Sequence, residues 1–167
     1  MSDHVRDTTP HVAVFDIDGV LADVRHRLPH ISGPRRDWDG FFAAVGDDPV
    51  LAPGVEAVRE AVADGLSIVY LTGRPERCRR DTVQWLAEHG LPEGTLIMRA
   101  DSDRRPARVL KPGALRGLVS RARVVFVVDD DPEVAESVAA AGFTVRLADW
   151  MPREDPLRQA QESLGRS

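Results

Sequence analysis

The 167 residues of this chain, 43% of them hydrophobic, fit one ordinary domain with a buried core and leave no room for a second large one. The formal charge of −5 argues against a protein that coats nucleic acid with a broad basic face, and the single cysteine, Cys78, excludes an internal disulfide or a cysteine metal cluster. No apolar run reaches membrane-spanning length and the polar N-terminus has no hydrophobic signal core, so we expect a soluble, cytoplasmic protein without membrane contact.

The first predicted strand, His11–Phe15, ends in two carboxylates, Asp16 and Asp18, followed by Gly19. An apolar strand thereby delivers acidic groups to its carboxyl end, which is where open α/β sheets bind their ligands. Side chains alternate along an extended strand, so both carboxylates project to the same side and repel each other unless a cation or a proton intervenes. The pattern predicts a metal site.

Short apolar strands then alternate with helical segments, which predicts a parallel sheet with helices on both faces. Prolines are expected to open three of the helices, at Pro53, Pro75 and Pro132. The remaining predicted strands are Leu66–Leu71, Thr95–Met98, Val124–Val128 and Phe143–Leu147.

We expect a domain over residues 11–150, between polar tails at 1–10 and 151–167. Residues 23–48 interrupt the alternation of strands and helices directly after the first carboxylates. They are expected to form a small insertion that covers the mouth of the site. The sequence leaves the oligomeric state open.

Three later segments add charged or polar groups at predicted strand ends and helix starts. Thr72-Gly73-Arg74 precedes the helix expected at Pro75, whose free N–H groups suit an oxyanion. Lys111 is expected just before another helix, where it neutralises a bound anion and the carboxylates nearby. Asp129, Asp130 and Asp131 follow the fourth strand as a second acidic cluster.

These four motifs, in this order, resemble those of the haloacid dehalogenase (HAD) superfamily of phosphohydrolases. The resemblance implies a three-layer, Rossmann-like α/β fold with a mainly parallel sheet of about five strands and a minimal cap. It implies that Asp16 is the nucleophile that forms an aspartyl-phosphate, and that Asp18 is the general acid and base. The implied Mg²⁺ ligands are Asp16, the backbone carbonyl of Asp18, and Asp129, with Asp130 as a second ligand or just outside the first coordination sphere; Thr72, Gly73 and Lys111 would bind the phosphoryl group.

A narrower resemblance is to the 3′-phosphatase domain of phage-type polynucleotide kinase/phosphatases, whose Asp-x-Arg element is matched by Asp103 and Arg105. No GxxxxGK[ST] phosphate loop occurs, so a 5′-kinase half is not expected. The expected partner is a phosphomonoester substrate, with a nucleic-acid 3′-phosphate end as the favoured one. Expected substrate contacts are Arg74, Arg105 and, by stacking on a base, Trp38.

Two other functions stay open at this point. The opening Asp-x-Asp-Gly-Val-Leu-Ala-Asp also resembles deoxyribonucleotidase-type members, which favours a nucleotidase or another small-molecule phosphatase. A noncatalytic partner or regulatory subunit that kept the fold is the alternative of a different class, and the intact Asp16 and Asp18 argue against it.

Overall fold

A computed structural model of the chain describes residues 7–151, and it contains one sheet of five strands in that range. The strands are β1 (His11–Phe15), β2 (Ser67–Pro75), β3 (Thr95–Arg99), β4 (Arg123–Asp129) and β5 (Val145–Leu147). They lie in the order β3-β2-β1-β4-β5, and each neighbouring pair is parallel. The predicted parallel sheet is therefore confirmed, with β1 at its centre.

Six α-helices occupy the described residues: α1 (Pro29–Ser32), α2 (Trp38–Ala43), α3 (Ala52–Ala63), α4 (Arg79–Glu88), α5 (Ala107–Leu118) and α6 (Pro132–Ala140). Residues of α3 and α4 share one buried cluster with Ala13 and Phe15 of β1. Residues of α5 and α6 share a second cluster with Val12 and Val14, which point to the opposite face because side chains alternate along a strand. This confirms the three-layer α/β fold.

One of the three helix starts predicted from prolines, the one at Pro75, is wrong. Pro75 does not open a helix but is the last residue of β2, where it pairs with Arg99 of β3 across an irregularity in register. The proline ring fixes φ near −65°, and this value suits extended backbone as well as a first helical turn. The ψ angle therefore decides whether a proline begins a helix or continues a strand. For Pro75, φ is −70° and ψ is 153°, and α4 begins only at Arg79.

Lys111, expected just before a helix, instead lies inside α5, as does Pro112. The helix begins at Ala107, after Pro106, and presents Leu115 and Leu118 to the sheet. The prediction that this helix starts after Lys111 is therefore wrong, because the helix begins before that residue, at Ala107. A proline inside a helix removes one backbone hydrogen bond, and the packing of the apolar face outweighs that loss here.

Residues 23–48 lie between β1 and α3 and are folded over a third apolar cluster that includes Phe41, Phe42 and Met98. This segment contains α1, α2 and two short 3₁₀ turns, Arg25–Arg27 and Val45–Asp47. The expected tails at 1–10 and 151–167 fall largely outside the described residues. Across residues 7–151, the helices are too short or too polar to cross a bilayer.

Candidate active site

The loop after β1 places Asp16 and Asp18 at the carboxyl end of the central strand. The backbone N–H of Asp16 donates to Val128 O at 2.9 Å, which joins the loop to β4. Leu21 N–H and Ala22 N–H both donate to Ile17 O, at 2.8 and 2.9 Å, and these bonds close a tight turn that begins directly after Asp16 and contains Asp18. Both acidic side chains are buried.

Asp16 lies beside Asp129, the last residue of the neighbouring strand β4, and Asp130, which follows it. One carboxylate oxygen from each of the three lies within 4.8 Å of the other two, and all three residues are buried. Hard carboxylate oxygens are the donors that Mg²⁺ prefers, and three of them in one buried group fit a divalent cation. Asp131, next in the chain, instead caps α6 by accepting from Glu133 N–H at 2.9 Å.

Lys111 supplies a positive charge to the same group. Its ammonium Nζ lies 2.6 Å from Asp129 Oδ2 and 2.8 Å from Asp16 Oδ2. Although burial alone lowers the pKa of a lysine, the Asp129 and Asp16 carboxylates raise the pKa of Lys111 above its usual range. Burial, together with the Asp129 carboxylate and against the pull of Lys111, raises the pKa of Asp16 to about 7.

The Asp18 side chain lies outside this three-carboxylate group and is bound by two arginines. Its Oδ1 accepts from Arg27 Nη2 at 3.0 Å and from Arg74 Nε at 2.8 Å. Burial would raise the pKa of Asp18, but the Arg74 and Arg27 guanidiniums outweigh it and hold that pKa at about 2. Asp18 is therefore ionised in this structure. Sequence reasoning missed Arg27, which stands among other arginines in residues 23–48 with no motif to distinguish it.

Thr72, Gly73 and Arg74 lie within β2, next to β1, rather than at a helix start. The Thr72 hydroxyl is buried and accepts from Arg74 N–H at 3.2 Å. The Gly73 carbonyl accepts from Arg99 Nε at 3.0 Å, and Arg99 Nη1 also donates to Arg105 O at 2.6 Å. Arg99, another residue that sequence reasoning missed, thus connects this strand end to the loop before α5. Arg74 is completely buried against Asp18.

The other two expected substrate contacts lie at the surface. Arg105 is exposed and forms an ion pair of 2.6 Å with Asp103. Trp38 is half-buried, stacks on Phe42 at a centroid distance of 6.0 Å, and lines an open groove. The groove is also lined by Arg36, Arg77 and Arg104 together with Asp37 and Asp39.

We expect substitution of Gly19 by alanine to destabilise the protein by about 2 kcal/mol, because two independent constraints require glycine there. Its φ is +81°, and a Cβ would overlap Asp130 Oδ2. Urea denaturation measures the loss. Gly46→Ala is the matched control, since a Cβ at Gly46 meets nothing within 4 Å. Equal stabilities of the two variants would contradict the close approach of Gly19 to Asp130.

Comparison with protein families gives a match over most of the chain. The family model described as the polynucleotide kinase PNKP phosphatase domain matches residues 10–147. Among curated proteins, the chain is 41% identical over 64 residues to membrane-associated phosphatidylinositol transfer protein 3 of Homo sapiens. That match covers 35% of this chain and 7% of the relative, so the chain spans only a small part of this relative's length.

Solved structures share the fold at low sequence identity. A chain of the Pnkp1/Rnl/Hen1 RNA repair complex aligns with a TM-score of 0.72 and 20% identity, over 84% of this chain and 43% of that one. The class C acid phosphatase from Bacillus anthracis with tungstate bound aligns with a TM-score of 0.61 and 14% identity, over 91% of this chain and 77% of that one.

Proposed function

This chain belongs to the family of polynucleotide kinase PNKP phosphatase domains within the HAD superfamily, and on that premise we propose that it hydrolyses phosphomonoesters. The observation that carries the proposal is the buried group of Asp16, Asp129 and Asp130 with Lys111 between two of them. Such a group suits the transfer of a phosphoryl dianion, which needs positive charge and a nucleophile in one place. We assign this activity to residues 11–150, with 23–48 as a small insertion.

The reaction we propose has two steps. In the first, a carboxylate oxygen of Asp16 attacks phosphorus, the bond to the leaving oxygen breaks, and Asp18 gives that oxygen a proton. In the second, water attacks the aspartyl-phosphate, Asp18 accepts the proton, and inorganic phosphate leaves while Asp16 is regenerated. Asp18 is ionised in the resting protein, so it needs a proton before the first step. An incoming phosphate dianion favours that proton because negative charge nearby raises the pKa of a carboxyl group.

Magnesium is the cofactor we propose, held by Asp16, Asp129 and Asp130, with the Asp18 backbone carbonyl as a further ligand. When bound, Mg²⁺ would mask negative charge on the phosphate and orient it. Lys111 would contribute to the same charge balance and, with Thr72 and Gly73, would bind the phosphoryl oxygens. The burial of Lys111 supports this role, because a lysine ammonium is rarely buried without anionic partners.

We propose a polynucleotide 3′-phosphate as the preferred substrate. The family supports this choice, and so does the groove, where an aromatic ring and three arginines outnumber two aspartates, one of which lies 3.6 Å from Arg77. Aromatic rings stack on unpaired bases and arginines pair with backbone phosphates, so the groove suits a single-stranded chain end. Arg105, exposed in the loop before α5, would add a further phosphate contact, whereas Arg74 would act through Asp18.

A comparison of three substrates tests this preference. We expect kcat/KM for a 3′-phosphorylated oligonucleotide to exceed that for a nucleoside 3′-monophosphate or a 5′-phosphorylated oligonucleotide by at least about tenfold, since the groove adds contacts only to a chain that continues from the reacting end. The measurement is phosphate release with Mg²⁺ present. A preference for the mononucleotide would instead favour a nucleotidase.

A further inference from the structure

Asp48, the last residue of the segment 23–48, is a buried carboxylate to which the proposed reaction gives no role. Its side chain is completely enclosed, and its two oxygens accept three arginine N–H groups. Arg27 donates to it through Nε at 2.7 Å and Nη2 at 2.9 Å, and Arg74 donates through Nη2 at 2.8 Å. The position of a buried carboxylate is fixed by this many charged hydrogen-bond donors.

The same two arginines are those that bind Asp18, so each guanidinium bridges two carboxylates. The four side chains form a charge-balanced group of two arginines and two aspartates, all enclosed by protein. The planar fork of an arginine binds one carboxylate best with two parallel N–H groups. In Arg27, the two N–H groups of the fork, Nε and Nη2, both donate to Asp48. Asp18 therefore receives a hydrogen bond from Arg27 only through Nη2, at 3.0 Å, which it shares with Asp48.

This sharing of the arginines between Asp48 and Asp18 leaves one oxygen of Asp18 without a hydrogen bond within residues 7–151. Both arginines contact its Oδ1, and its Oδ2 is buried with no hydrogen-bond partner among the described residues. A buried carboxylate oxygen without a partner is costly, and a site where a proton is transferred is one place where it is useful.

Asp48 has two further contacts, in addition to those with Arg27 and Arg74. The Trp85 indole Nε1 of α4 donates to the Asp48 backbone carbonyl at 2.7 Å. On the solvent side, His26 Nε2 lies 2.6 Å from Asp48 Oδ1. The position of Asp48 is therefore set by α4 and His26 as well as by the arginines. The residues after it also bond to the loop that carries Asp18, through Asp23 N–H to Pro49 O at 2.8 Å and Leu51 N–H to Leu21 O at 2.7 Å.

We propose that Asp48 is a positioning residue that occupies the arginine fork and thereby keeps Oδ2 of Asp18 available for proton transfer to the leaving oxygen. This inference rests on the proposed role of Asp18 as general acid. Without the Asp48 charge, both guanidiniums can turn onto Asp18 and bind its two oxygens. Proton donation then fails although the nucleophile, the three-carboxylate group and Lys111 are unchanged.

The dependence on the leaving group tests the proposal. An alkyl leaving group such as that of glycerol phosphate needs the proton, whereas p-nitrophenolate departs without one. We expect Asp48→Asn to lower kcat/KM about 100-fold for glycerol phosphate and less than about fivefold for p-nitrophenyl phosphate. Asp47→Asn, on the exposed neighbouring position, is the matched control and should change neither value. Equal losses on the two esters would overturn the proposal.

Two further variants separate its failure from that of the proposed function. Asp18→Asn should show the same leaving-group selectivity. If it shows none, the acid role of Asp18 is wrong and this proposal is overturned with it. If Asp18→Asn is selective and Asp48→Asn is not, only the role of Asp48 is overturned. Should Asp48→Asn fail to fold, His26→Ala is the variant to measure. We expect it to lower kcat/KM for glycerol phosphate alone, by less than Asp48→Asn would. An equal loss of kcat/KM on both esters would overturn the proposal.

Discussion

Replacement of Asp16 by asparagine is expected to lower turnover by at least about 10³-fold, because an amide cannot form the acyl-phosphate that the proposed reaction requires. The same change is expected to leave the folded protein equally stable or more stable at pH 8. The Asp16 carboxylate is buried beside Asp129, and the isosteric amide removes one negative charge from that group.

The pH dependence of this gain follows from the raised pKa of Asp16. Its pKa rises from 3.8 to about 7 on folding, so its protonated form is favoured by the folded state. Stability from this group is present below pH 3.8 and is lost as the pH rises toward 7. Asp16→Asn should therefore gain little near pH 4 and most above pH 7, with about 4 kcal/mol as an upper bound from the size of the shift.

Urea denaturation of wild type and Asp16→Asn at pH 5 and pH 8, beside a phosphate-release assay, measures both effects. Asp47→Asn serves again as the control because that carboxylate is exposed. Turnover within tenfold of wild type would mean that another group is the nucleophile. A larger stability gain at pH 5 than at pH 8 would contradict the raised pKa.

Removal of divalent cations is expected to lower turnover by at least about 10³-fold, and added Mg²⁺ should restore it. Three buried carboxylates within 4.8 Å repel each other, and Lys111 offsets only part of their charge. Mg²⁺ should therefore also raise the melting temperature of the wild-type protein, since the proposed site exists in the folded state and not in the unfolded one.

Asp130→Asn should lose most of that thermal shift because it removes one of the three proposed ligands. Asp131→Asn is the matched control: the Asp131 oxygen caps α6 through Glu133 N–H, and asparagine caps a helix as well as aspartate does. A thermal shift that is unchanged in Asp130→Asn would place the cation elsewhere. The thermal measurement does not depend on activity, so it tests the metal site even if the substrate is wrong.

The strands of the sheet and their parallel direction could be predicted from the sequence. The apolar runs that end in Asp16, Thr72 and Asp129 are short-range patterns, and strands read from such patterns begin within two residues of those observed. Parallel strands have their carboxyl ends at the same edge of a sheet, and this rule was sufficient to predict that Asp16 and Asp129 lie close together. The roles of these residues in catalysis stay predictions.

What the sequence by itself determined is therefore the α/β class, the parallel sheet and the family motifs, because strand periodicity and motif order are local properties of the chain. Only the tertiary structure decided that Lys111 lies inside α5 and that Arg27 and Arg74 each bridge Asp18 and Asp48. These ion pairs join residues that are 9, 21, 26 and 56 positions apart. Such contacts depend on how segment 23–48 packs over the strand ends. The energy of a buried charge depends on the partners that this packing places beside it, and sequence separation does not reveal those partners.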